Sequence, residues 1–281
     1  MNYYRSCMAG GSGGEYEATY TVSVNNVLYK TSGTSDFREN ALFNDRIIIG
    51  NNVSNCIRLM QNCSSFNQEV DIPDGVISTD SMFIYCSSLN KRVNIPASVT
   101  TMSAMFSNCS SFNQNITIPN SVNNLRTLFW GCSKMNQNIY IHDNVVNCSM
   151  TFSDCSSLNQ NIRIGNNVTD CMSMFNNCTN LKQNIVIPNK VNQCYQMFDR
   201  CTKMTDIFLK GTSYRAINVL RLVANTESIR KNLWFNSTLN SVFNNSIGSY
   251  SIVGNYVTWT SMTNGFYNAA YNIYCYYNYS G

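Results

Sequence analysis

The stretch Cys109–Pro119, CSSFNQNITIP, recurs along this chain every 23 residues. It reads CSSFNQEVDIP at Cys63–Pro73, CSSLNKRVNIP at Cys86–Pro96 and CSKMNQNIYIH at Cys132–His142. It returns as CSSLNQNIRIG at Cys155–Gly165 and CTNLKQNIVIP at Cys178–Pro188. Outward from these segments the period holds in column after column. The main cysteines are Cys63, Cys86, Cys109, Cys132, Cys155, Cys178 and Cys201. Three residues before each lies Phe83, Phe106, Phe129, Phe152, Phe175 or Phe198, with Met60 and Phe37 at the earlier positions. A third column is Val53, Val76, Val99, Val122, Val145, Val168 and Val191. All four prolines, Pro73, Pro96, Pro119 and Pro188, share one position, which His142 and Gly165 fill in the other two units. Self-similarity at one fixed period is the signature of a solenoid.

The spacing inside one unit predicts its local structure. Ile116 and Ile118 are two apart, which is strand spacing. Val122, Leu125, Phe129, Cys132 and Met135 follow three or four apart, which is helical spacing. Each unit therefore reads as a short strand, a turn at Pro or Gly, and a helical turn. Proline suits the strand end because it has no N–H for the next ladder rung. One such unit cannot bury its apolar side alone, but stacked copies can. The strands then align as a parallel sheet at about 4.8 Å per rung, and seven or eight rungs make a rod roughly 35 Å long.

The string Cys109–Pro119, with Val122 after it and Phe106-type positions before it, resembles the BspA-like leucine-rich repeats. That family carries a Phe-x-x-Cys-x-x-Leu turn followed by an Ile-x-Ile-Pro strand. The resemblance covers about residues 37–210 and implies a leucine-rich-repeat solenoid built as a β–turn–helical repeat. Bacterial surface adhesins, protozoan surface proteins and phage virion proteins all occur in the family, so it is specific for fold and not for function.

Outside the repeat the chain changes character, and three parts are expected. Residues 1–30 read as a Gly-rich arm, Gly10–Gly14, and a β-hairpin cap. In the hairpin, Tyr16–Val24 turns at Asn25-Asn26 and returns along Val27–Lys30. Residues 31–210 form the solenoid, and residues 211–281 a C-terminal α+β cap or small domain. The register breaks after Cys201, because Ile207 and Leu209 arrive one residue early. Ser213–Asn225 then reads as an amphipathic helix with Ala216, Ile217, Leu220, Val223 and Ala224 on one face. Ser251–Val253 and Tyr256–Trp259 flank Gly254-Asn255, a hairpin signal.

Composition narrows the function. Charged residues are 12%, about half the usual soluble share. Asn is about one residue in six and supplies much of the missing polarity. The net charge of +4 is scattered singly, without the basic stripe that nucleic-acid binding needs. No apolar run approaches the roughly 20 residues of a membrane helix. The start, MNYYRSCMAGGSGG, lacks the apolar core of a secretory signal. With the Gly-rich start and the amide-rich composition, this favours release by cell lysis. The expected role is a phage virion protein of the tail, fibre or baseplate that contacts a host surface. The alternatives are a bacterial cell-surface adhesin and a purely structural capsid decoration.

Few residues are placed for chemistry. Thirteen Cys would suggest disulfides in an exported protein. However, the main column and a second one at Cys56, Cys148, Cys171 and Cys194 project in parallel from the core side. They are therefore expected to be buried thiols packing as small apolar groups. Cys7 and Cys275 lie outside the repeat, and their state is left open. His142 is the single histidine and stands at the turn position. Nucleophile-elbow, zinc-protease and P-loop motifs are absent, so the chain reads as non-catalytic, with no cofactor and no metal.

The exposed strand face is the candidate binding surface. One outward residue per rung forms a row: Asp71, Asn94, Thr117, Tyr140, Arg163 and Val186. Beside it run Glu69, Arg92, Asn115, Asn138, Asn161 and Asn184, whose asparagines could equally form a stabilising amide ladder. The second candidate is the aromatic C-terminus, Trp259, Phe266, Tyr267, Tyr271, Tyr274, Tyr276 and Tyr277, as a stacking surface or subunit contact. Expected partners are other virion proteins or a host-surface glycan or protein, without nucleic acid or membrane insertion. Self-association is left open.

Overall fold

The computed structural model describes residues 4–6, 19–22, 38–51, 53–183, 185–204, 206–209, 231–235, 250–253, 256–259 and 273–276. Each 23-residue unit forms one coil, and successive coils stack. The strands of the stack are β3 (Arg46–Ile49), β4 (Val70–Asp71), β5 (Val93–Asn94), β6 (Ile139–Tyr140), β7 (Ile162–Arg163), β8 (Ile185–Ile187) and β9 (Asp206–Leu209). All pairing among them is parallel: Val70 faces Val93, Ile139 faces Ile162 and Ile185 faces Ile207. The last pair is 22 residues apart rather than 23, so the early arrival of Ile207 is absorbed in the ladder register. The rung at Ile116–Ile118 keeps the buried–exposed–buried alternation without ladder pairing.

At the N-terminal end, β2 (Thr19–Val22) runs parallel to β3, with Tyr20 opposite Ile47. Its antiparallel partner is β1 (Tyr4–Ser6), with Tyr4 opposite Thr21. The expected hairpin thus finds its partner upstream of the Gly-rich segment. Val27–Lys30 and Gly10–Gly14 lie outside the described residues. Beyond β9 the sheet continues through β10 (Lys231–Phe235) and β13 (Ile273–Tyr276), both joined in parallel. It ends on β12 (Tyr256–Trp259) and β11 (Tyr250–Val253), which pair antiparallel across the expected hairpin. The Ser213–Asn225 helix lies outside the described residues.

The helical turn expected in each coil is absent from the described coils. In its place runs a strip of tight turns. In the coil at Leu125, alternate N–H groups close turns three residues back: Leu128 to Leu125, Trp130 to Thr127 and Cys132 to Phe129. The N–H groups between them leave the coil and bond to the next one. Leu125 donates to Asn147, Thr127 to Ser149, Phe129 to Thr151 and Gly131 to Ser153, at 2.8–3.0 Å. An α-helix would send every N–H to the carbonyl four residues back. The backbone reason is a left-handed residue at every fourth position of the strip. These pairs include Ala104 and Asn108, Met150 and Asp154, and Ser173 and Asn177, with φ between 52° and 63°. Asn and Asp tolerate that region better than other side chains, because they hydrogen-bond locally. The strip opens on an Asx turn: the side-chain oxygens of Asn55, Asn124, Asn147 and Asp170 accept the N–H two residues on.

The core lies between strip and sheet as continuous columns. Val122, Leu125, Leu128, Phe129, Cys132 and Met135 are fully buried, and their counterparts in other coils behave alike. The Phe rings stack at 5.6–5.7 Å from Phe83 through Phe198, nearly parallel in the last coils. Offset stacking of this kind adds about 0.5–1.5 kcal/mol per pair beyond area burial.

The cysteines of both columns are buried thiols, with no disulfide among them. The main column has a specific task. From Cys86 onward each S–H donates to the carbonyl of the Phe-column residue one coil earlier: Cys86 to Met60, Cys109 to Phe83, Cys132 to Phe106, Cys155 to Phe129, Cys178 to Phe152 and Cys201 to Phe175, at 2.9–3.1 Å. The thiol is small enough for the core and still supplies a donor between coils. Burial pushes the Cys56 and Cys194 thiols up to about 12, and holds Cys86, Cys109, Cys132, Cys148, Cys155, Cys171 and Cys178 well above their ordinary value.

Polar ladders finish the coil corners. The side-chain oxygens of Asn67, Asn90, Asn113, Asn136 and Asn159 accept the backbone N–H 23 residues later, at 2.8–2.9 Å. Gln114, Gln137 and Gln183 amides return to the backbone carbonyl of the same Asn column. The hydroxyls of Ser87, Ser110, Ser133 and Ser156 each donate to the carbonyl one coil earlier.

Candidate strand-face binding surface

The strands are short, but they fix side-chain direction. Val70, Val93, Ile139 and Ile162 point into the core, and their neighbours Asp71, Asn94, Tyr140 and Arg163 point out. Ladder pairing sets Asp71 beside Asn94 and Tyr140 beside Arg163 in one row. Thr117 is exposed at the same position of its coil, and Val186 is half-buried. Glu69, Arg92, Asn115, Asn138 and Asn161 are exposed in the adjacent column, while Asn184 lies outside the described residues.

Neighbours within the row touch. The Asn94 amide donates to the Asp71 carboxylate. The Arg92 guanidinium lies 3.7 Å from Glu69 and 3.9 Å from Asp71. All three side chains are more than half exposed, so these ion pairs contribute little to stability. Two coils beyond Thr117, the Arg163 guanidinium sits 4.7 Å above the Tyr140 ring centroid and 3.4 Å from Asp143. The Asp143 carboxyl is held below its ordinary range, first by the backbone N–H of Asn166 and then by that residue's side-chain amide. Tyr140 is 60% exposed, more than any other aromatic side chain among those whose burial is described.

The amide ladder considered for Asn115, Asn138 and Asn161 is built elsewhere. The Asn residues that bridge coils stand two positions upstream, at Asn113, Asn136 and Asn159. Pleat alternation places positions 115, 138 and 161 on the outer face, away from the N–H groups the ladder serves.

His142 is a turn residue. Its Nε2 lies 2.8 Å from the Pro119 carbonyl, which can only accept, so Nε2 carries the proton. Its Nδ1 accepts the Asn144 N–H. The neighbouring Asp143 is engaged with Asn166 and Arg163, and the pair assembles no nucleophile. Among the described residues, no group of three or more His, Cys, Asp or Glu is placed to hold a metal ion.

Two exposed features escaped the sequence pattern. A cleft of about 610 Å³ opens between β3 and β4, with Arg46 and Ile48 on one wall and Gln68, Glu69 and Asp71 on the other. On the turn strip, Trp130 is 37% exposed and its indole N–H is fixed on Asp154 at 2.8 Å. In the sequence both looked like ordinary variation within a column. Of the C-terminal aromatics, Trp259 lies in β12, and Tyr274 and Tyr276 in β13. Phe266, Tyr267, Tyr271 and Tyr277 lie outside the described residues.

Three solved bacterial structures are similar to the chain. A leucine-rich repeat protein from Bacteroides ovatus shares 16% identity, with a TM-score of 0.40 over 84% of this chain and 70% of that one. One from Eubacterium ventriosum shares 11%, with a TM-score of 0.41 over 78% and 74%. A leucine rich cell surface protein from Faecalibacterium prausnitzii shares 19%, with a TM-score of 0.29 over 64% and 76%. No curated protein matches the sequence. The family described as "Mycoplasma protein of unknown function, DUF285" matches in four overlapping stretches, 31–118, 54–164, 118–210 and 166–273. These overlap because the repeat aligns with itself in several registers, and they span the whole solenoid: the chain belongs to the DUF285 family.

Proposed function

We propose that this chain is a non-catalytic display solenoid of a bacterial cell surface, whose strand face binds a partner. The observation that carries the reading is the row Asp71, Asn94, Thr117, Tyr140 and Arg163. These five exposed residues differ in chemistry from coil to coil, while the core columns beneath them hold constant. Stacked coils present such a face as one extended surface, which suits recognition better than catalysis. Among the described residues near it, Asp71, Asn94, Arg92 and Arg163 engage neighbouring side chains, and none forms an acid–base or nucleophile pair.

The family's description as a Mycoplasma protein favours a cellular bacterial protein over the phage virion part expected from sequence. Nothing in the comparisons supports the virion assignment. The adhesin alternative, implied by the BspA-like resemblance, fits such a cellular protein.

The test has two arms. Protease treatment of intact cells that make the protein should remove it without lysis. Labelled purified protein should bind target cells, and Tyr140→Ala with Arg163→Glu should weaken that binding at least about tenfold, a loss of about 1.4 kcal/mol. Protection from protease, or unchanged binding by the double variant, would overturn the reading.

A further inference from the structure

Coils at residues 113–163 carry two asparagine columns two positions apart, with opposite fates. In the inner column, Asn113, Asn136 and Asn159 use their side-chain oxygens on the next coil's backbone N–H. In the outer column, Asn115, Asn138 and Asn161 are exposed, and their amides make no inter-coil bond among the described residues. Each outer amide keeps a donor and an acceptor for something outside the protein. Two residues further along each strand, and so on the same face, stand Thr117, Tyr140 and Arg163. Three rungs thus present three amides beside a hydroxyl, an aromatic ring and a guanidinium that already stacks on that ring.

The spacing of this lattice selects its ligand. Where ladder pairing sets Tyr140 beside Arg163 its step is one rung, about 4.8 Å, whereas an extended peptide advances about 3.3 Å per residue and drifts off the amide column at once. A pyranose ring in an extended β-linked chain occupies a length close to one rung. Its vicinal hydroxyls match an amide's paired donor and acceptor, and its C–H face packs on a tyrosine ring. We propose that Asn115, Asn138 and Asn161, with Thr117, Tyr140 and Arg163, form a site for a linear β-linked polysaccharide lying along the solenoid axis, one sugar per coil. This rests on the strand-face reading above and names its ligand class.

The test is calorimetric titration of the full chain with three hexasaccharides. A β-1,4-linked N-acetylglucosamine probe represents bacterial wall-type glycan, a hyaluronan probe acidic matrix glycan, and a cellulose-derived probe the plain hydroxyl pattern. At least one should bind, and the responding arm identifies the source. Affinity should rise with chain length up to about three sugars and then level off. Asn115→Ala, Asn138→Ala and Asn161→Ala combined should weaken binding at least about tenfold. Asn136→Ala, in the inner column, should leave binding within twofold in protein that remains folded.

Absence of binding to all three probes, or full affinity in the triple variant, overturns the inference. If Tyr140→Ala with Arg163→Glu still abolishes cell binding in that event, the glycan assignment falls and the strand-face reading stands. If that double variant leaves cell binding intact, both fall.

Discussion

At the scale of single residues, the cysteines explain why this repeat uses Cys where other solenoids could use Ala or Val. From Cys86 to Cys201 each main-column thiol fills core volume and donates to a carbonyl one coil earlier. Cys132→Ala removes both contributions, leaving the Phe106 carbonyl without its second donor and a small void beside it. The expected cost is about 1–3 kcal/mol in urea unfolding. The same burial sets an alkaline limit. Unfolded thiols ionise from about pH 8.5 upward, while Cys56 and Cys194 hold their protons to about 12 in the fold. Above pH 8.5 the unfolded chain therefore binds fewer protons than the native one, and stability falls as pH rises. Thiol stabilisation should be intact below about pH 8.5 and decline steadily toward 12, each group contributing a slope of up to about 1.4 kcal/mol per pH unit. Urea midpoints measured from pH 7 to 11 would check this, and a flat profile would contradict the buried-thiol assignment. Gly165 is the other decisive residue. A Cβ there would land on the His142 carbonyl oxygen, a backbone atom that cannot swing away. Gly165→Ala should cost more than about 2 kcal/mol in the same urea measurement, whereas a surface substitution stays within about 0.5 kcal/mol.

At the scale of elements, the spacing of apolar residues was legible and the backbone that produces it was not. Val122, Leu125, Phe129 and Cys132 sit three or four apart, as on a helix face. A run of three-residue turns also brings them inward, and periodicity alone does not separate the two. The discriminating signal lies in the residues between them. Asn62, Asn108, Asp154 and Asn177 share one column with Gly131, and that column is left-handed throughout. Asn, Asp or Gly at five of that column's eight described positions, with Glu39, Tyr85 and Arg200 at the others, marks a backbone that is not helical. The strand face was legible because pleat alternation is strict, so Asp71, Tyr140 and Arg163 could be placed outward from sequence. Which asparagine column builds the ladder depended on the turn geometry at the corner, which the pattern does not encode. One position in the strip conflicts with its backbone: Thr127 is β-branched and has φ 54°. Thr127→Asn should relieve that strain and stabilise the protein by about 0.5–1 kcal/mol, readable as a higher urea midpoint. A lower midpoint would mean that the threonine hydroxyl, which donates to the Arg126 carbonyl, outweighs the strain.

At the scale of the molecule, every coil is both donor and acceptor to its neighbours, so stability resides in the interfaces between coils rather than within them. Four N–H groups of the strip point toward the following coil, while those at Ser65 and Ile77 point back to the preceding one. The Cys, Asn and Ser ladders all span 23 residues, or 26 where the thiol reaches the carbonyl three positions before its own counterpart. Register is therefore the quantity the fold protects. Removing Ser133–Cys155 takes out one full coil and rejoins every column in phase: Cys132 is followed by Ser156, Ser157 and Leu158, as it was by Ser133, Lys134 and Met135. The shortened chain should fold cooperatively and unfold at somewhat lower urea, having lost one repeat and one interface. Removing 20 residues from the same starting point leaves the thiols, Phe rings and strand residues of the following coils three positions out of phase. Ladder donors then face side chains, and outward strand residues meet the core. That variant should lose cooperative unfolding and expose its thiols to alkylation without denaturant. Comparable midpoints for the two deletions would show that the columns tolerate slippage, and that the 23-residue period is not what holds the stack together.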